Sequence, residues 1–252
     1  YLIELTMEEN RFYHSENLEL KHVVELIAQT HIHATKVLRL KVGDQFALFN
    51  GDGYDYVAKV IELSKHKTSV EIIDRYEVNH ESPLKITLAQ GLAAGDKMDW
   101  IIQKAVELGI QSIQPLLTER SIIKLDRERA DKKLEHWRTV AISACEQTGR
   151  SIIPDILSPI HLVQWLSNQN QIANSLKLIL TPAKAQNINH LEKPSSPVVF
   201  MVGPEGGFSE KEMNLALSSS FVPVNFGKRV LRTETASVVA LSIMQNLWGD
   251  FA

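Results

Sequence analysis

The most informative stretch of the sequence is residues 201–212, Met-Val-Gly-Pro-Glu-Gly-Gly-Phe-Ser-Glu-Lys-Glu, where an apolar strand runs into a glycine-rich turn and then a helix. Glycine has no Cβ, so such a turn can adopt positive φ and let a ligand approach the main chain. Ser209 and Glu212 have the spacing of a capping box, which predicts a helix start. Turns of this kind at the carboxyl edge of an open α/β sheet are where these folds hold ligands. The segment therefore predicts either a small-molecule site or a tight connection without a ligand.

The composition is typical of a soluble globular protein. With 252 residues, 44% of them hydrophobic, the chain can form one large domain or two smaller ones. We expect no membrane segment and a cytoplasmic location, since no run approaches the roughly 18 apolar residues of a membrane span and no secretory leader is visible. The single cysteine, Cys145, excludes an internal disulfide and a cysteine-cluster site. The histidines are scattered along the chain, which argues against a zinc site. We therefore expect a packed thiol and no metal.

The charge distribution leaves room for local contact with nucleic acid. A net charge of −3 argues against a globally basic binder, yet binding depends on local patches. A group of basic residues between positions 120 and 133 alternates with acidic ones and is also explained by a solvated helix face. The two other basic groups are Lys36, Arg39 and Lys41, and Lys228, Arg229 and Arg232.

The amino-terminal third reads as a small β-rich domain over residues 1–77. Asn-Gly and Asp-Gly pairs at 50–53 are strong hairpin signals. Residues 22–39 have helical character. The predicted strands are Gln45–Phe49, Tyr54–Leu63 and Thr68–Ile73.

After a polar linker at residues 78–84, which contains Pro83, strands and helices alternate. Such alternation predicts an α/β domain over 85–252 with a mostly parallel sheet. The predicted strands are Lys85–Leu92, Ser112–Leu117, Leu176–Leu180, Val198–Val202 and Phe221–Phe226. The predicted helices are Lys97–Leu108, capped by Asp96, and Arg127–Gln147, His161–Ser167, Glu210–Leu217 and Thr233–Trp248.

Three segments follow late strands and could share one edge: residues 180–182, 203–207 and 226–236. Neither a Walker lysine loop nor a G-x-G-x-x-G turn is present. The three segments suit a ligand with an adenine ring bound mainly through the main chain. At their rim, Arg232 could neutralise phosphate or developing negative charge, and Thr233 could cap the last helix. Alternatively, Arg232 and Glu234 form only a surface ion pair.

Residues 203–208 (Gly-Pro-Glu-Gly-Gly-Phe) and 231–236 (Leu-Arg-Thr-Glu-Thr-Ala) together resemble the bacterial 16S ribosomal RNA (uracil-N3) methyltransferases of the SPOUT class. The similarity runs from about Met7 onward. It also includes residues 95–99, 103–109, 119–121 and 144–150, and in the amino-terminal part 11–13, His33, 37–39 and 43–44.

The resemblance implies an α/β methyltransferase domain with a trefoil knot, preceded by a small β-barrel PUA-like domain. It implies S-adenosylmethionine (SAM) as cofactor, 16S ribosomal RNA of the small subunit as substrate, and a homodimer. Catalytic roles are implied for Arg232, Glu205 and Glu234, and RNA contacts for Arg11, Lys36, Arg39, Arg120 and Arg150. The implied cofactor residues are Leu180, Thr181, Pro182, Gly203, Pro204, Gly206, Gly207, Phe226, Gly227, Val230, Leu231, Thr235 and Ala236.

Several alternatives stay open at the level of sequence. A related knotted enzyme would methylate a ribose 2′-oxygen or transfer RNA, and a non-catalytic assembly factor would share the fold. Glu205 either takes a proton or holds its turn, and the β-rich domain either docks RNA or packs a dimer.

Overall fold

The computed structural model describes residues 10–123, 125–168, 174–182 and 185–251, without the side chains of Ala28 and Gln29. The chain divides into two compact units. The first unit contains the chain up to Glu81 together with Cys145–Ile153, and the second contains Ser82–Ala144 and the chain from Pro154 onward.

The first unit is built on a sheet whose described strands are β1 Arg11–Tyr13, β2 Val23–Glu25, β3 Gln45–Phe49, β4 Tyr54–Leu63 and β5 Thr68–Glu77. Among the described residues the strand order is β1-β3-β4-β5-β2. β3 and β4 form the predicted hairpin, and Gly51 and Gly53 in its turn have φ of +97° and +91°. Phe46, Leu48 and Ile72 are fully buried in the core of this unit.

The helical reading of residues 22–39 was wrong in its first part. Val23–Glu25 is a strand that pairs antiparallel with β5, because β-branched valines fit a pleated edge and tertiary pairing overrides local helical character. A short helix, α1 Ala28–Ile32, and a π-helical turn, His33–Val37, follow.

The second unit is an α/β fold whose recorded strand pairs are all parallel, as predicted. The strands are β6 Ile86–Gly91, β7 Ser112–Leu117, β8 Asp155–Ile156, β9 Ile160–His161, β10 Leu176–Leu180, β11 Gln186–Asn187, β12 Val198–Val202 and β13 Val222–Asn225. In the described part of the chain the order of these strands in the sheet is β11-β13-β10-β12-β6-β7-β8, with β9 beside β7. The α-helices are α2 Lys97–Glu107, α3 Arg127–Thr148, α4 Leu162–Ser167, α5 Glu210–Ser218 and α6 Thr233–Trp248, and a 3₁₀ turn covers Ile188–His190.

Within the described residues, no helix is both long and apolar enough to cross a bilayer. The same part of the chain holds no group of three His, Cys, Asp or Glu side chains that could bind a metal ion. Cys145 is fully buried, and burial raises the pKa of its thiol to about 12. The packed thiol is therefore confirmed.

Candidate active site

A cavity of about 690 Å³ lies in the second unit, at the carboxyl edge of its sheet. β10 lies between β12 and β13 and runs parallel to both, so the turns that follow these strands meet there. A volume of this size is ordinary for a small-molecule site. The predicted cofactor residues that line it are Leu180, Thr181, Pro182, Gly203, Pro204, Gly206, Gly207, Phe226, Gly227, Val230, Leu231 and Ala236.

The glycine turn after β12 brings main chain to the cavity wall. Gly207 has a φ of +67°, and a Cβ on Gly203 would lie 3.1 Å from the Cα of Gly207. On the neighbouring strand, a Cβ on Gly91 would lie only 2.5 Å from Cδ of Pro204. Side chains are therefore excluded where the turn folds tightly and packs against β6.

The turn ends in the predicted capping box, which is confirmed. Ser209 Oγ accepts a hydrogen bond from the amide of Glu212, and Glu212 accepts one from the amide of Ser209. The second carboxylate oxygen of Glu212 accepts from the amide of Glu119 at 2.8 Å. The start of α5 is thus tied to the loop that follows β7.

Thr233 does not cap the last helix, contrary to the sequence prediction. Arg232 is the N-cap residue, and Thr233 is the first residue of α6. The Thr233 hydroxyl instead donates to the carbonyl of Gly203 at 2.6 Å and accepts from Nε2 of Gln90 at 3.0 Å. Ser237 in turn donates to Oε1 of Gln90 at 2.6 Å. This buried network fixes the start of α6 against the glycine turn.

Glu205 lies on the cavity wall and is held by two donors. Its Oε1 accepts from Nζ of Lys97 at 2.8 Å and from the amide of Ala94 at 3.0 Å. Burial raises the pKa of Glu205, but these hydrogen bonds outweigh it, and the pKa lies below its ordinary value. Glu205 is therefore an anion at neutral pH that ties two loops together.

Glu234 and Arg232 differ in their access to the cavity. Arg232 is exposed and lines it, whereas Glu234 is not among the lining residues. Glu234 Oε2 is shielded from solvent without a hydrogen-bond partner in the described structure, and lies 4.0 Å from Nζ of Lys97. The recorded ion-pair contact of Glu234 is thus to Lys97 rather than to Arg232.

Arg120 closes one side of the cavity. Its Nη1 donates to the carbonyl of Gly206 at 3.0 Å, and a Cβ on Gly206 would lie 3.0 Å from Cβ of Arg120. The arginine is exposed, so part of its guanidinium faces solvent beside the site.

Two sets of residues depart from the sequence reading of this site. Thr235 is exposed on α6 and does not line the cavity. Six further residues line the cavity without a cofactor-binding, catalytic or RNA-binding role predicted from the sequence, although Lys97 directly follows the predicted cap Asp96 and could have been found from that position. These residues are Lys97, Val202, Phe208, Met213, Asn225 and Arg229.

Arg11 is buried inside the first unit, which argues against the predicted RNA contact. Its guanidinium binds both carboxylate oxygens of Asp55 at 2.6 and 2.7 Å and stacks over the ring of Phe49. It also donates to the carbonyl of Cys145 and to the hydroxyl of Ser151. All of these contacts lie within the unit, so we correct the role of Arg11 to a structural one.

Arg150 is corrected in the same way. It is 3% exposed, and its Nε donates to Glu81 at 2.8 Å. Lys36 and Arg39, by contrast, are exposed on the π-helical turn and the loop after it. Arg39 has a φ of +54°, and Val37 and Val42 nearby are 63% and 62% exposed. Two basic side chains thus share an open surface with apolar ones.

Comparison with known proteins places this architecture in a family. The model of an RNA methyltransferase domain matches residues 80–245, and the model of an RNA methyltransferase PUA domain matches residues 33–73. The ribosomal RNA small subunit methyltransferase E of Buchnera aphidicola is 36% identical over 241 residues, which cover 96% of this chain and 94% of that protein. The Bacillus subtilis protein of the same name is 33% identical over 250 residues, covering 96% and 94%.

Two solved structures have the same fold. A putative methyltransferase from Legionella pneumophila with bound SAM is 40% identical, with a TM-score of 0.90 over 96% of this chain and 98% of that one. A ribosomal RNA small subunit methyltransferase E from Neisseria gonorrhoeae bound to SAM is 41% identical, with a TM-score of 0.88 over 96% and 99%. The chain described here therefore belongs to the RNA methyltransferase family, with a PUA-like domain at its amino-terminal end.

Proposed function

We propose that this protein transfers a methyl group from SAM to N3 of a uridine in the 16S ribosomal RNA of the small subunit. The observation that carries the proposal is the cavity where the turns after β10, β12 and β13 meet, lined by bare glycine backbone and ringed by cations. The relatives whose names and bound ligand point the same way match this chain over nearly its whole length.

The residues of the cavity fit SAM. Apolar side chains of Val202, Phe208 and Met213 offer surface to an adenine ring, while the turns at 180–182 and 203–207 offer main-chain polar groups. When bound, SAM supplies a methyl group activated by a sulfonium. Of the predicted cofactor residues, Thr235 is the weakest candidate because it lies off the cavity wall.

The chain's own contribution is to position the base and stabilise charge. N3 of uridine carries a proton and is engaged in base pairing, so the base must leave the helix and lose that proton before it can attack. Arg232, exposed at the rim, is the proposed stabiliser of the uracil anion. Glu205 and Glu234 are the proposed proton acceptors, and the position of Glu205 on the wall favours it over Glu234.

The finer architecture is also proposed. A trefoil knot of the SPOUT class is proposed because the chain resembles solved methyltransferase structures over nearly its whole length, and a β-barrel because the model of a PUA domain matches the first unit. We propose domains at 1–77 and 85–252 joined by a linker at 78–84, a homodimer, and a cytoplasmic location, where small-subunit RNA is found in bacteria. Lys36, Arg39 and Arg120 are the exposed candidates for RNA contact.

The proposal is tested with purified protein, SAM carrying a labelled methyl group, and small ribosomal subunits that lack the modification. We expect saturable SAM binding and transfer of label to RNA in the subunit. A Gly91→Ala variant is the matched control in which the cavity is disrupted, because its Cβ collides with Pro204 and shifts the glycine turn. Binding of SAM without transfer to any RNA would favour the assembly-factor alternative, and transfer to transfer RNA alone would contradict the ribosomal assignment.

A further inference from the structure

Lys97 joins three chain segments at the cavity wall. It is the first residue of α2, and its Nζ lies 2.8 Å from Oε1 of Glu205 in the glycine turn and 4.0 Å from Oε2 of Glu234 at the start of α6. The side chain lines the cavity and is 36% exposed. One of its three N–H donors is engaged by Glu205, so the ammonium has donors left for a ligand.

The two carboxylates beside Lys97 have different access to a substrate. Glu205 is on the cavity wall, with a side chain 25% exposed. Glu234 Oε2 is shielded from solvent and has no hydrogen-bond donor within the described residues. Glu234 therefore serves as a fixed counter-charge to Lys97 away from the cavity wall, while Glu205 can contact a uracil bound in the cavity.

The ammonium stays charged throughout the neutral range. The hydrogen bond to Glu205 is the largest cause and raises the pKa of Lys97; burial opposes it, while the charges of Glu205 and then Glu234 add to it and that of Arg232 subtracts. Lys97 therefore holds a positive charge between the carboxylates of Glu205 and Glu234.

We propose that Lys97 is a further catalytic residue, whose ammonium stays beside the negative charge as that charge moves from Glu205 to the substrate uracil. The N3–H bond breaks, its electron pair stays on the base and is shared with O2 and O4, and the proton adds to the Glu205 carboxylate. Lys97 then donates to the uracil anion instead of to the neutral acid. The inference rests on the proposed methylation of uridine N3, and it keeps a cation beside the negative charge both before and after the proton moves.

The test compares Lys97→Met, Glu205→Gln and the double variant with the wild type in single-turnover methyl transfer at pH 7. Each single variant is expected to lose about 100-fold in rate, because a charge-stabilising group has been removed. The double variant is expected to be no slower than the slower single, since the two residues act as a unit. Lys104→Met is the matched control. It lies on the same helix and pairs with Glu107 without lining the cavity.

Two further readouts separate catalysis from support of the fold. SAM affinity, measured by calorimetry without RNA, should stay within a few-fold of wild type. In the wild type, the limb of the pH–rate profile along which the rate rises with pH reflects loss of the proton from uracil N3. In Lys97→Met this limb should shift to higher pH by about one unit, because the nearby ammonium that lowers the pKa of N3–H has been removed. Lys97→Arg should restore its position. An unmoved limb or multiplicative losses in the double variant would overturn the role of Lys97, whereas a wild type that transfers nothing would contradict the proposed function itself.

Discussion

Each unit of the molecule contains a cluster of opposite charges, and the two clusters are built differently. In the first unit, Arg11 and Asp55 have side chains 2% and 3% exposed, and the guanidinium also binds Cys145 and Ser151. In the second, Lys97 and Glu205 are 36% and 25% exposed, with an unpaired oxygen of Glu234 nearby. The first cluster uses its hydrogen-bonding groups within the protein, while the second has hydrogen-bond donors and acceptors that are available to a ligand.

The difference follows from what each cluster must do. A charge removed from water is tolerated only when paired and hydrogen-bonded, so the Arg11 cluster has to use its bonding capacity internally. A site that binds a changing ligand needs unfilled capacity, and incomplete pairing is therefore a mark of function. Substitutions in the two clusters should therefore have opposite effects on stability and turnover.

Arg11→Ala should cause the largest loss of stability. It leaves Asp55 buried without its partner, and the free energy of unfolding should fall by about 3–5 kcal/mol. Urea unfolding followed by circular dichroism measures this, with Arg138→Ala on the exposed face of α3 as control. A loss below about 1 kcal/mol would mean that the cluster is not a structural one.

Arg232→Ala should do the reverse, with a large loss of turnover and little loss of stability. Methyl transfer should fall about 10²–10³-fold, as expected when a donor to developing negative charge is removed. SAM affinity should be nearly unchanged, again with Arg138→Ala as control. Turnover equal to wild type would eliminate the assignment.

Lys36→Ala combined with Arg39→Asn should weaken RNA binding and leave SAM binding intact. Asparagine is chosen because it tolerates the positive φ of residue 39. The slope of log affinity against log salt should decrease by about one to two, one phosphate contact for each lost cation. If RNA affinity is unchanged but the oligomeric state alters, this surface packs a dimer instead.

The smallest expected effect is the difference in the pH dependence of stability between the wild type and Cys145→Ala. The pKa of the folded thiol is raised from 9.0 to about 12, so its contribution to stability is complete below pH 9 and is lost as pH rises towards 12. Near pH 10 the wild type should have lost about 1–2 kcal/mol that Cys145→Ala does not lose. Parallel stability curves for the two proteins between pH 8 and 10.5 would contradict this.

Local patterns predicted most elements of the second unit. The strands at Ser112–Leu117, Leu176–Leu180 and Val198–Val202 and the helix Thr233–Trp248 have the predicted bounds, because apolar runs and capping signals are read within one segment. The glycine turn and most of the residues that line the cavity were found for the same reason, whereas Val202, Met213 and Asn225 were missed.

Long-range pairing was beyond such patterns. The order of β13, β10 and β12 places segments far apart in sequence around one cavity, and no periodicity encodes it. Nor could the sequence show that Arg11 would meet Asp55, 44 residues away, and the 145–153 segment. The sequence shows that an arginine belongs to a motif but does not show that its side chain is buried, so a structural arginine was predicted to contact RNA.

Mass spectrometry of nucleosides from the methylated small subunit tests the central claim most directly. The account predicts 3-methyluridine at one position of 16S ribosomal RNA after incubation with wild-type protein, and far less after the same incubation with Arg232→Ala. Methyl groups on a ribose 2′-oxygen or on another base atom would contradict the assignment to uridine N3, while leaving a methyltransferase.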